Sequence, residues 1–238
     1  VELEGTTVSR ASLHNVSILE GLKLGIGDVI TVYKANMIIP QIAENLTGSG
    51  NLPIPDTCPA CSQHTVLKDE NNVKTLICPN PECPAKKIRL FVDFVSRNAM
   101  NIEGISEETL DKFIGHGYIS QFADIYRLER YRKEIIAMSG FGERSYENII
   151  QSIDHSRSTT VDRLLNAMGI MGVGPANAKM IARHFHGDLS RIRKASAEDL
   201  TQIDGIGEVL AANITSWFSD PEHTRALDDL LQELQIIQ

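Results

Sequence analysis

The sequence has few aromatic residues, no long apolar run and no excess of positive charge. Aromatic side chains make up 5% of its 238 residues. No apolar stretch approaches the ~18 residues that a membrane-spanning helix needs, and the opening residues do not form a signal peptide. We therefore expect a cytoplasmic protein without a membrane partner. The first residue is Val1 and not methionine, from which we expect the chain to begin inside a longer parent protein.

The formal net charge is −8, whereas a nucleic-acid-binding domain is usually basic. This balance argues against binding to nucleic acid through bulk electrostatics. Binding would need local geometry, with hydrogen-bond donors aimed at individual phosphate groups.

All four cysteines fall in one short segment, in the pattern C-x2-C-x16-C-x4-C. Cys58 and Cys61 form one close pair, and Cys78 and Cys83 form the other. Each pair can place two thiolates on a tight turn, and the excursion between the pairs has to fold back to bring them together. Four thiolates around one tetrahedral ion make a closed, structural zinc site. Such an ion would supply folding free energy to a segment too small for a core of its own.

Two disulfides or a redox-active C-x-x-C pair are the alternatives. Intracellular thiols stay reduced, and a redox motif needs one pair of cysteines and not two. His64 lies in the excursion and could replace a cysteine ligand, but four cysteines already complete the set.

A second pattern consists of two glycines around one hydrophobic residue. It starts at Gly140, Gly172 and Gly205, with starts 32 and 33 residues apart, and a degenerate copy starts at Gly104. Periods of this size indicate tandem supersecondary units, and helix-like spacing flanks each copy. The pattern predicts four helix-hairpin-helix units. Ser106 replaces the second glycine of the degenerate copy and predicts an ordinary helix N-cap there.

Such a hairpin can bind phosphate through its main chain. Its glycines permit positive φ and close approach, which leaves the hairpin amides and the first turn of the next helix free to donate to phosphate oxygens. The donors are neutral, so this contact suits an acidic protein, and it ignores base identity. Arg144 and Lys179 follow two of the hairpins and would add positive charge. Glu208 follows the hairpin at Gly205 with no nearby base, so packing or partner docking is the alternative there.

Residues 1 to about 50 alternate in the manner of short strands, at 6–8, 28–33 and 38–39, with glycines between them. Short strands with glycine turns predict a small β-barrel or sandwich. The pattern alone leaves the function of this segment open.

The run GTTVSRASLHN, from Gly5 to Asn15, resembles the signature of the oligonucleotide-binding (OB) domain of NAD⁺-dependent DNA ligases. The motifs IGD, KA and IIP follow in the family's order, and after them come the four-cysteine finger and the helix-hairpin-helix units. The resemblance covers nearly the whole chain and points to the C-terminal part of such a ligase. It implies a multidomain α+β protein with an OB-fold β-barrel at 1–54, a four-cysteine zinc finger at 55–86 and an all-α helix-hairpin-helix domain at 87–238.

The resemblance implies the DNA-binding portion of an enzyme that seals nicks in duplex DNA during replication and repair. In such ligases a nucleotidyltransferase domain of the same chain takes AMP from NAD⁺ onto a lysine, and Mg²⁺ assists the sealing. The lysine-x-aspartate-glycine motif of that lysine occurs nowhere here. We therefore expect the segment alone to be inactive, to contain no catalytic residue and to bind neither NAD⁺ nor Mg²⁺. Its expected partners are nicked double-stranded DNA, at the bacterial nucleoid, and the missing nucleotidyltransferase domain.

By position, the resemblance implies that Arg10 and Lys34 contact phosphates beside the nick. It implies that Ile38 and Ile39 press into the minor groove, where an apolar wedge reads shape and not sequence; strand core is their alternative. We expect His14 to be a buried structural histidine. The expected DNA contacts of the hairpins come from Arg144 and Lys179 and from the glycines Gly140, Gly142, Gly172, Gly174, Gly205 and Gly207.

The OB segment also departs from the family pattern in two places. Asn36 and Met37 stand where the family has glycine and an acid, which leaves the local turn undetermined. The stretch that supplies the family's first OB strand is absent upstream of Val1, so the barrel is either incomplete or paired differently. A non-enzymatic zinc and hairpin adaptor, and a partner-docking fragment of another repair enzyme, are the alternative functions. Neither explains an OB signature before the finger.

Overall fold

A computed structural model describes residues 1–237. The chain divides into two compact units, Val1–Ala85 and the residues from Lys86 onward. In the described part of the chain, no helix has the length and apolar character needed to cross a membrane.

The first unit is built mainly from short strands. Its elements, in chain order, are β1 (Glu2–Leu3), β2 (Thr6–Thr7), α1 (Val16–Gly21), β3 (Ile30–Ala35), β4 (Ile39–Asn45), β5 (Val66–Glu70) and β6 (Val73–Ile77). The strands form three separate antiparallel pairs, β1 with β2, β3 with β4 and β5 with β6. Among residues 1–237 every sheet has two strands, so the expected barrel is not closed.

Strand number and length explain the open arrangement. An OB barrel closes on about five strands, whereas residues 1–51 contain four, and β1 and β2 have only 2 residues each. A single parallel bridge, between Ser12 and Gln41, links the loop after β2 to β4. Of the two outcomes left open by the sequence, the structure shows the incomplete barrel.

Asp28 anchors the β3–β4 hairpin. Its carboxylate accepts hydrogen bonds from Asn45 Nδ2 at 2.7 Å, from Thr47 Oγ1 at 2.9 Å and from the Ser49 amide at 3.3 Å. Hydrogen bonds from Ser49, Asn45 and Thr47 lower the pKa of Asp28 to about 2. Because this carboxylate ties the loop after β4, β3 begins at Ile30 and not at the predicted residue 28.

Asn36 and Met37 form the turn between β3 and β4. Both have positive φ, 51° and 60°, and the Ile38 amide donates to the Ala35 carbonyl at 3.1 Å. Two successive left-handed residues are the mark of a type I′ hairpin turn. The turn takes up Ile38, so β4 begins one residue later than predicted, at Ile39.

Helix α1 holds the β5–β6 hairpin to the strands at the start of the chain. Asn15 caps α1 by accepting a hydrogen bond from the Ile18 amide at 3.0 Å. Ser17 Oγ accepts from the Lys74 amide at 2.7 Å, and Lys74 Nζ pairs with Glu20 at 2.8 Å. The finger predicted at 55–86 is therefore packed against the OB-like segment.

The second unit is helical. Its elements are α2 (Pro84–Val95), α3 (Glu107–Gly115), α4 (Phe122–Ile125), a 3₁₀ turn (Leu128–Tyr131), α5 (Arg132–Ala137), α6 (Glu143–Ser156), β7 (Ser158–Thr159), α7 (Val161–Ala167), α8 (Pro175–His184), α9 (Leu189–Lys194), α10 (Ala197–Thr201), α11 (Glu208–Ser219), α12 (Pro221–Leu231) and β8 (Gln235–Ile236). The short strands β7 and β8 are parallel. The apolar faces of the helices meet in one continuous core that includes the fully buried Phe94, Leu110, Leu164 and Leu230.

An ionic cluster fixes the last helix of this unit. The Arg127 guanidinium donates to both carboxylate oxygens of Asp229, at 2.9 and 2.8 Å, and to Glu233 at 2.7 Å. Arg157 donates to the second oxygen of Glu233 at 3.0 Å. The hydrogen bonds from Arg127 lower the pKa of Asp229, as expected for a carboxylate held by a bidentate arginine.

Candidate metal centre and nucleic-acid interface

The structure brings the four cysteines together. Their Sγ atoms all lie within 4.8 Å of one another, with Cys58 and Cys83 at 3.9 Å and Cys61 and Cys78 at 3.5 Å. A Zn–S bond of ~2.3 Å places tetrahedral ligands about 3.8 Å apart, so the four thiols can hold a metal ion. All four are free thiols at separations far beyond the ~2.05 Å of a disulfide bond. The disulfide alternative is therefore wrong.

Two tight turns present the thiols. The Cys58 carbonyl accepts from the Ser62 amide at 2.8 Å, and Ser62 has positive φ. A hydrogen bond from the Gln63 amide lowers the pKa of the Cys61 thiol to about 6. On the second turn, burial raises the pKa of the Cys78 thiol to about 11. For all four to be bound as thiolates at neutral pH, a cation has to lie between them.

The excursion between the cysteine pairs is the β5–β6 hairpin, which turns at Asn71 and Asn72, both with positive φ. It folds back as the spacing predicts. His64 is exposed and lies outside the thiol cluster.

The four glycine hairpins share one backbone geometry. The first glycine of each has φ between 83° and 88°, at Gly104, Gly140, Gly172 and Gly205. The next helix has its N-cap two residues later, at Ser106, Gly142, Gly174 and Gly207. The Ser106 side chain accepts from the Thr109 amide at 3.1 Å. The N-cap predicted for this residue is confirmed.

The amide of the middle residue is used inside each of the three full glycine hairpins, which start at Gly140, Gly172 and Gly205. The amides of Phe141, Val173 and Ile206 donate to the carbonyl three residues earlier, at 3.0, 2.9 and 3.0 Å. Val173 and Ile206 are also buried. The middle of each hairpin therefore cannot serve as a phosphate donor, contrary to the expectation that all the hairpin amides are free.

The free amides begin at the second glycine. Within residues 1–237 the amides of Gly142, Gly174 and Gly207 have no acceptor, and the first helical hydrogen bonds come from Tyr146, Ala178 and Ala211. Each hairpin thus presents its second glycine and the first turn of its helix. A positive helix end with unpaired N–H groups is an anion site.

The third and fourth hairpins pack against each other's helices. A methyl group on Gly172 would lie 3.0 Å from Leu210 Cδ1 on α11, and one on Gly205 would lie 3.4 Å from Met180 Cε on α8. Asn213 Nδ2, also on α11, donates to the Met171 carbonyl at 3.2 Å. These reciprocal contacts place the two amide clusters side by side.

The first and second hairpins also pair, although only one of the two first glycines takes part. A methyl group on Gly104 would lie 3.3 Å from Ile149 Cγ1 on α6. In return, Phe113 on α3 packs against Phe141, with ring centroids 5.8 Å apart. The four units therefore form two pairs, which the repeat spacing did not reveal.

The charged residues near the hairpins differ between them. Arg144 and Lys179 are exposed, and in the described residues neither is in an ion pair. Asp204 and Glu208 flank the fourth hairpin, and both are exposed. The hairpin at Gly205 therefore lacks the positive charge found beside the second and third.

In the first unit, the candidate contact residues lie on loops and on the β3–β4 hairpin. Arg10 is exposed in the loop after β2, and Lys34 lies on β3 opposite Pro40. Ile38 is 76% exposed and Ile39 is 48% exposed, so the strand-core alternative is wrong for both.

Sequence reasoning missed two exposed residues of the β3–β4 hairpin. Met37 is 79% exposed and Tyr33 is 47% exposed, on the same hairpin as Ile38. The signal for Met37 was present, because an apolar residue at the tip of a two-residue turn cannot be buried by its own hairpin.

His14 is exposed and not buried as predicted. It has positive φ, 55°, just before the N-cap of α1, and its ring Nδ1 lies 3.3 Å from Ser12 Oγ. The left-handed turn directs the ring away from the interior.

Comparison with known proteins gives two family matches. The NAD-dependent DNA ligase OB-fold domain matches residues 1–51, and the helix-hairpin-helix motif matches residues 163–227, which contain the third and fourth hairpins.

Similar full-length proteins include DNA ligases from three bacteria. The DNA ligases of Lachnoclostridium phytofermentans and Ruminiclostridium cellulolyticum are each 53% identical to this chain. Their alignments cover 98% and 99% of it, respectively. The DNA ligase of Oenococcus oeni is 36% identical over 100% of it. The chain spans 36%, 36% and 34% of these relatives' lengths.

Proposed function

Because this chain belongs to the NAD-dependent DNA ligase family, we propose that it is the part of such a ligase that holds nicked duplex DNA. The observation that carries the proposal is the set of free main-chain amides at three glycine hairpins. Nick sealing is the activity of the whole protein, of which this chain is about a third.

The hairpin amides contact the sugar-phosphate backbone. The second glycine of each hairpin and the first helical turn donate to phosphate oxygens, and the helix dipole adds roughly 0.3–1 kcal/mol per exposed anion. Pro175 has no amide, so the third hairpin donates from Gly174, Ala176 and Asn177. Neutral donors allow this contact despite the net charge of −8. Binding of this kind is indifferent to base sequence.

The β3–β4 hairpin and the loop before it contact the DNA beside the nick. Arg10 and Lys34 pair with phosphates, and Ile38 and Ile39 enter the minor groove. Ile38 and Ile39 share their hairpin with the exposed Met37 and Tyr33, which supports this role, because exposed apolar side chains mark interaction sites when they cluster.

Zinc is the metal that we propose for the four cysteines, in a structural role. Four thiolates complete a tetrahedral shell and leave no position for substrate. Amides on both turns stabilise the thiolates through hydrogen bonds. The ion would hold the base of the β5–β6 hairpin, which Lys74 connects to α1.

In the whole ligase, a nucleotidyltransferase domain would take AMP from NAD⁺ and, with Mg²⁺, use it to seal the nick on the bacterial chromosome. This chain alone holds DNA and does not react. We expect labelled NAD⁺ to give no protein–AMP adduct with it, and a labelled band would overturn that part of the proposal.

A binding titration tests the DNA contact. The chain is titrated against nicked duplexes of two unrelated sequences, at several salt concentrations, beside a triple variant Gly142→Ala, Gly174→Ala, Gly207→Ala. These glycines have open space around Cβ and no positive φ, so the variant should fold and bind weakly. Wild-type affinity should be equal for both sequences and fall with salt. Strong preference for one sequence, or no binding at low salt, would refute the proposal.

Reconstitution tests the link to ligation. A separately produced nucleotidyltransferase half is mixed with this chain, and nick sealing is measured against the triple glycine variant as control. We expect sealing with the wild-type chain and a large loss with the variant. A non-enzymatic adaptor would bind DNA and restore no sealing.

A further inference from the structure

Met171 and Val209 are the two most exposed large apolar side chains among the described residues of the helical unit. Met171 is 73% exposed and Val209 is 78% exposed, whereas Leu90 and Ile237 are 45% and 44% exposed. A single exposed methionine or valine needs no explanation. Two such side chains on the same candidate binding surface do need one.

The two side chains belong to the same surface. Asn213, one helical turn after Val209 and on the same face of α11, donates to the Met171 carbonyl at 3.2 Å. Leu210, the neighbour of Val209, packs against Gly172, the neighbour of Met171. Met171 and Val209 therefore form an apolar ridge between the third and fourth hairpins.

Free amides flank this ridge on both sides. Those of Gly174 and Ala176 begin α8, and those of Gly207 and Glu208 begin α11. Hairpins in direct contact can reach two DNA strands only across a narrow gap, and the minor groove is ~6 Å wide against ~12 Å for the major groove. A duplex held by both amide clusters would thus present its minor groove to the ridge.

Charge favours an apolar contact at the fourth hairpin, beside the hydrogen bonds from its amides. Asp204 and Glu208 are exposed beside its amides with no neighbouring base, and both carboxylates repel phosphate. Attraction to DNA at this hairpin therefore has to come from a contact that is not ionic. Deoxyribose carbons line the minor groove and offer an apolar surface.

We propose that Met171 and Val209 enter the minor groove and pack against deoxyribose, between the phosphates held by the third and fourth hairpins. This inference rests on the proposed function and deepens it. The first pair of hairpins lacks the ridge, because Glu103 and Arg144 stand at the corresponding positions, before the first glycine and two residues after the second. The third and fourth hairpins therefore supply an apolar contact to the groove, whereas the first and second supply a charged one.

The test compares two double variants of matched design. Met171→Gln with Val209→Thr preserves shape and removes apolar character, whereas Met171→Leu with Val209→Ile preserves apolar character and changes shape. Each is titrated against nicked duplex at several salt concentrations. Both positions are exposed, so thermal melting should match wild type.

We expect the polar double variant to bind roughly tenfold more weakly and the apolar one to bind like wild type. The slope of log affinity against log salt should stay unchanged in both, because no phosphate contact is lost. In Lys179→Gln the slope should fall by about 0.9. A ligand of the distamycin type, which fills the minor groove, should compete with wild-type binding.

Three results overturn the inference. If wild type binds nicked duplex and the polar double variant binds it with the same affinity, Met171 and Val209 make no contact that matters for binding. The proposed function would then stand without the ridge. Absence of binding by wild type itself would remove both. A steeper or shallower salt slope in the polar variant would show that the side chains act through phosphate contacts and not through the groove.

Discussion

Gly172 and Leu210 lie so close that a methyl group on the glycine would sit 3.0 Å from Leu210 Cδ1. Gly172 belongs to the third hairpin and Leu210 to the helix that follows the fourth. Gly205 and Met180 repeat the contact in the opposite direction. Two successive repeats are thus one structural unit, and the first glycine of each hairpin serves the packing between them.

This contact predicts a difference between two glycine substitutions. Gly172→Ala places a methyl group in a left-handed conformation and against Leu210, whereas Gly140→Ala meets nothing within 4 Å. The left-handed backbone alone costs about 1–2 kcal/mol, and crowding adds roughly 1 kcal/mol or more. Gly172→Ala should therefore lower the free energy of unfolding more than Gly140→Ala does. Denaturant unfolding of the two variants measures the difference.

Gly174→Ala is the control for these two substitutions. Its φ is −89° and its Cβ position is open, so it should cost less than either and act mainly on DNA binding. Equal destabilisation by Gly172→Ala and Gly140→Ala would show that Leu210 yields freely.

The sequence predicted the local features of the hairpins and not their pairing. Glycine identity at Gly140 and Gly142 fixes a turn and a helix start, because positive φ and capping are decided within a few residues. The contact of Gly172 with Leu210 depends on how two helices dock, which no spacing encodes. The expectation that the middle amides are free was wrong for a different reason, because the glycine pattern does not show the local hydrogen bond that closes each turn.

In the first unit, too, the sequence predicted local features and missed the contacts between residues far apart in the chain. The cysteine spacing predicted the cluster, because four thiols on two turns have few other arrangements. The strand bounds shifted because Asp28 ties a loop through Asn45 and Thr47, a contact between residues far apart in the chain. The exposure of His14 came from a backbone conformation that a histidine seldom adopts.

Arg127 and the last helix give a second prediction. Arg127 is 19% exposed and donates to both Asp229 and Glu233. Removing the guanidinium leaves two partly buried negative charges without their main positive partner. This costs more stability than replacing both partners of the ion pair would. Arg127→Ala should therefore destabilise the unit by about 2–3 kcal/mol, and hydrogen exchange should rise in α12.

Arg127→Ala combined with Asp229→Asn is the matched control. It removes one of the uncompensated charges and should recover part of the loss. No recovery, or unchanged exchange in α12 for Arg127→Ala, would mean that the cluster does not hold the helix.

Tyr126 predicts the response of the helical unit to alkali. Burial raises the pKa of its hydroxyl from 10.0 to about 12, against opposing contributions from Ser156 and Arg157. A raised pKa means that the folded state retains the proton where the unfolded state has lost it. The contribution is therefore complete below pH 10 and is lost as pH rises to about 12, with a magnitude of roughly 2–3 kcal/mol.

Tyr126→Phe isolates this contribution, because phenylalanine does not titrate. The variant loses the 3.1 Å hydrogen bond to Ser156 and should be less stable at neutral pH. Its stability relative to wild type should then rise between pH 10 and 12. Parallel curves for the two proteins across that range, measured by denaturant unfolding, would contradict the prediction.

Metal removal should loosen the first unit and leave the helical unit folded. Cys58 and Cys83 are buried, and without an ion no metal bond links their thiols to those of Cys61 and Cys78. Cys58→Ala, or a chelator, should release one zinc ion per chain and raise hydrogen exchange along β5 and β6. The Lys74 amide, which donates to Ser17, should lose protection, because the metal holds the base of its hairpin.

His64→Ala is the control and should keep the metal, since His64 lies outside the cluster. Unchanged metal content and exchange in Cys58→Ala would show that the four thiols do not form the metal site.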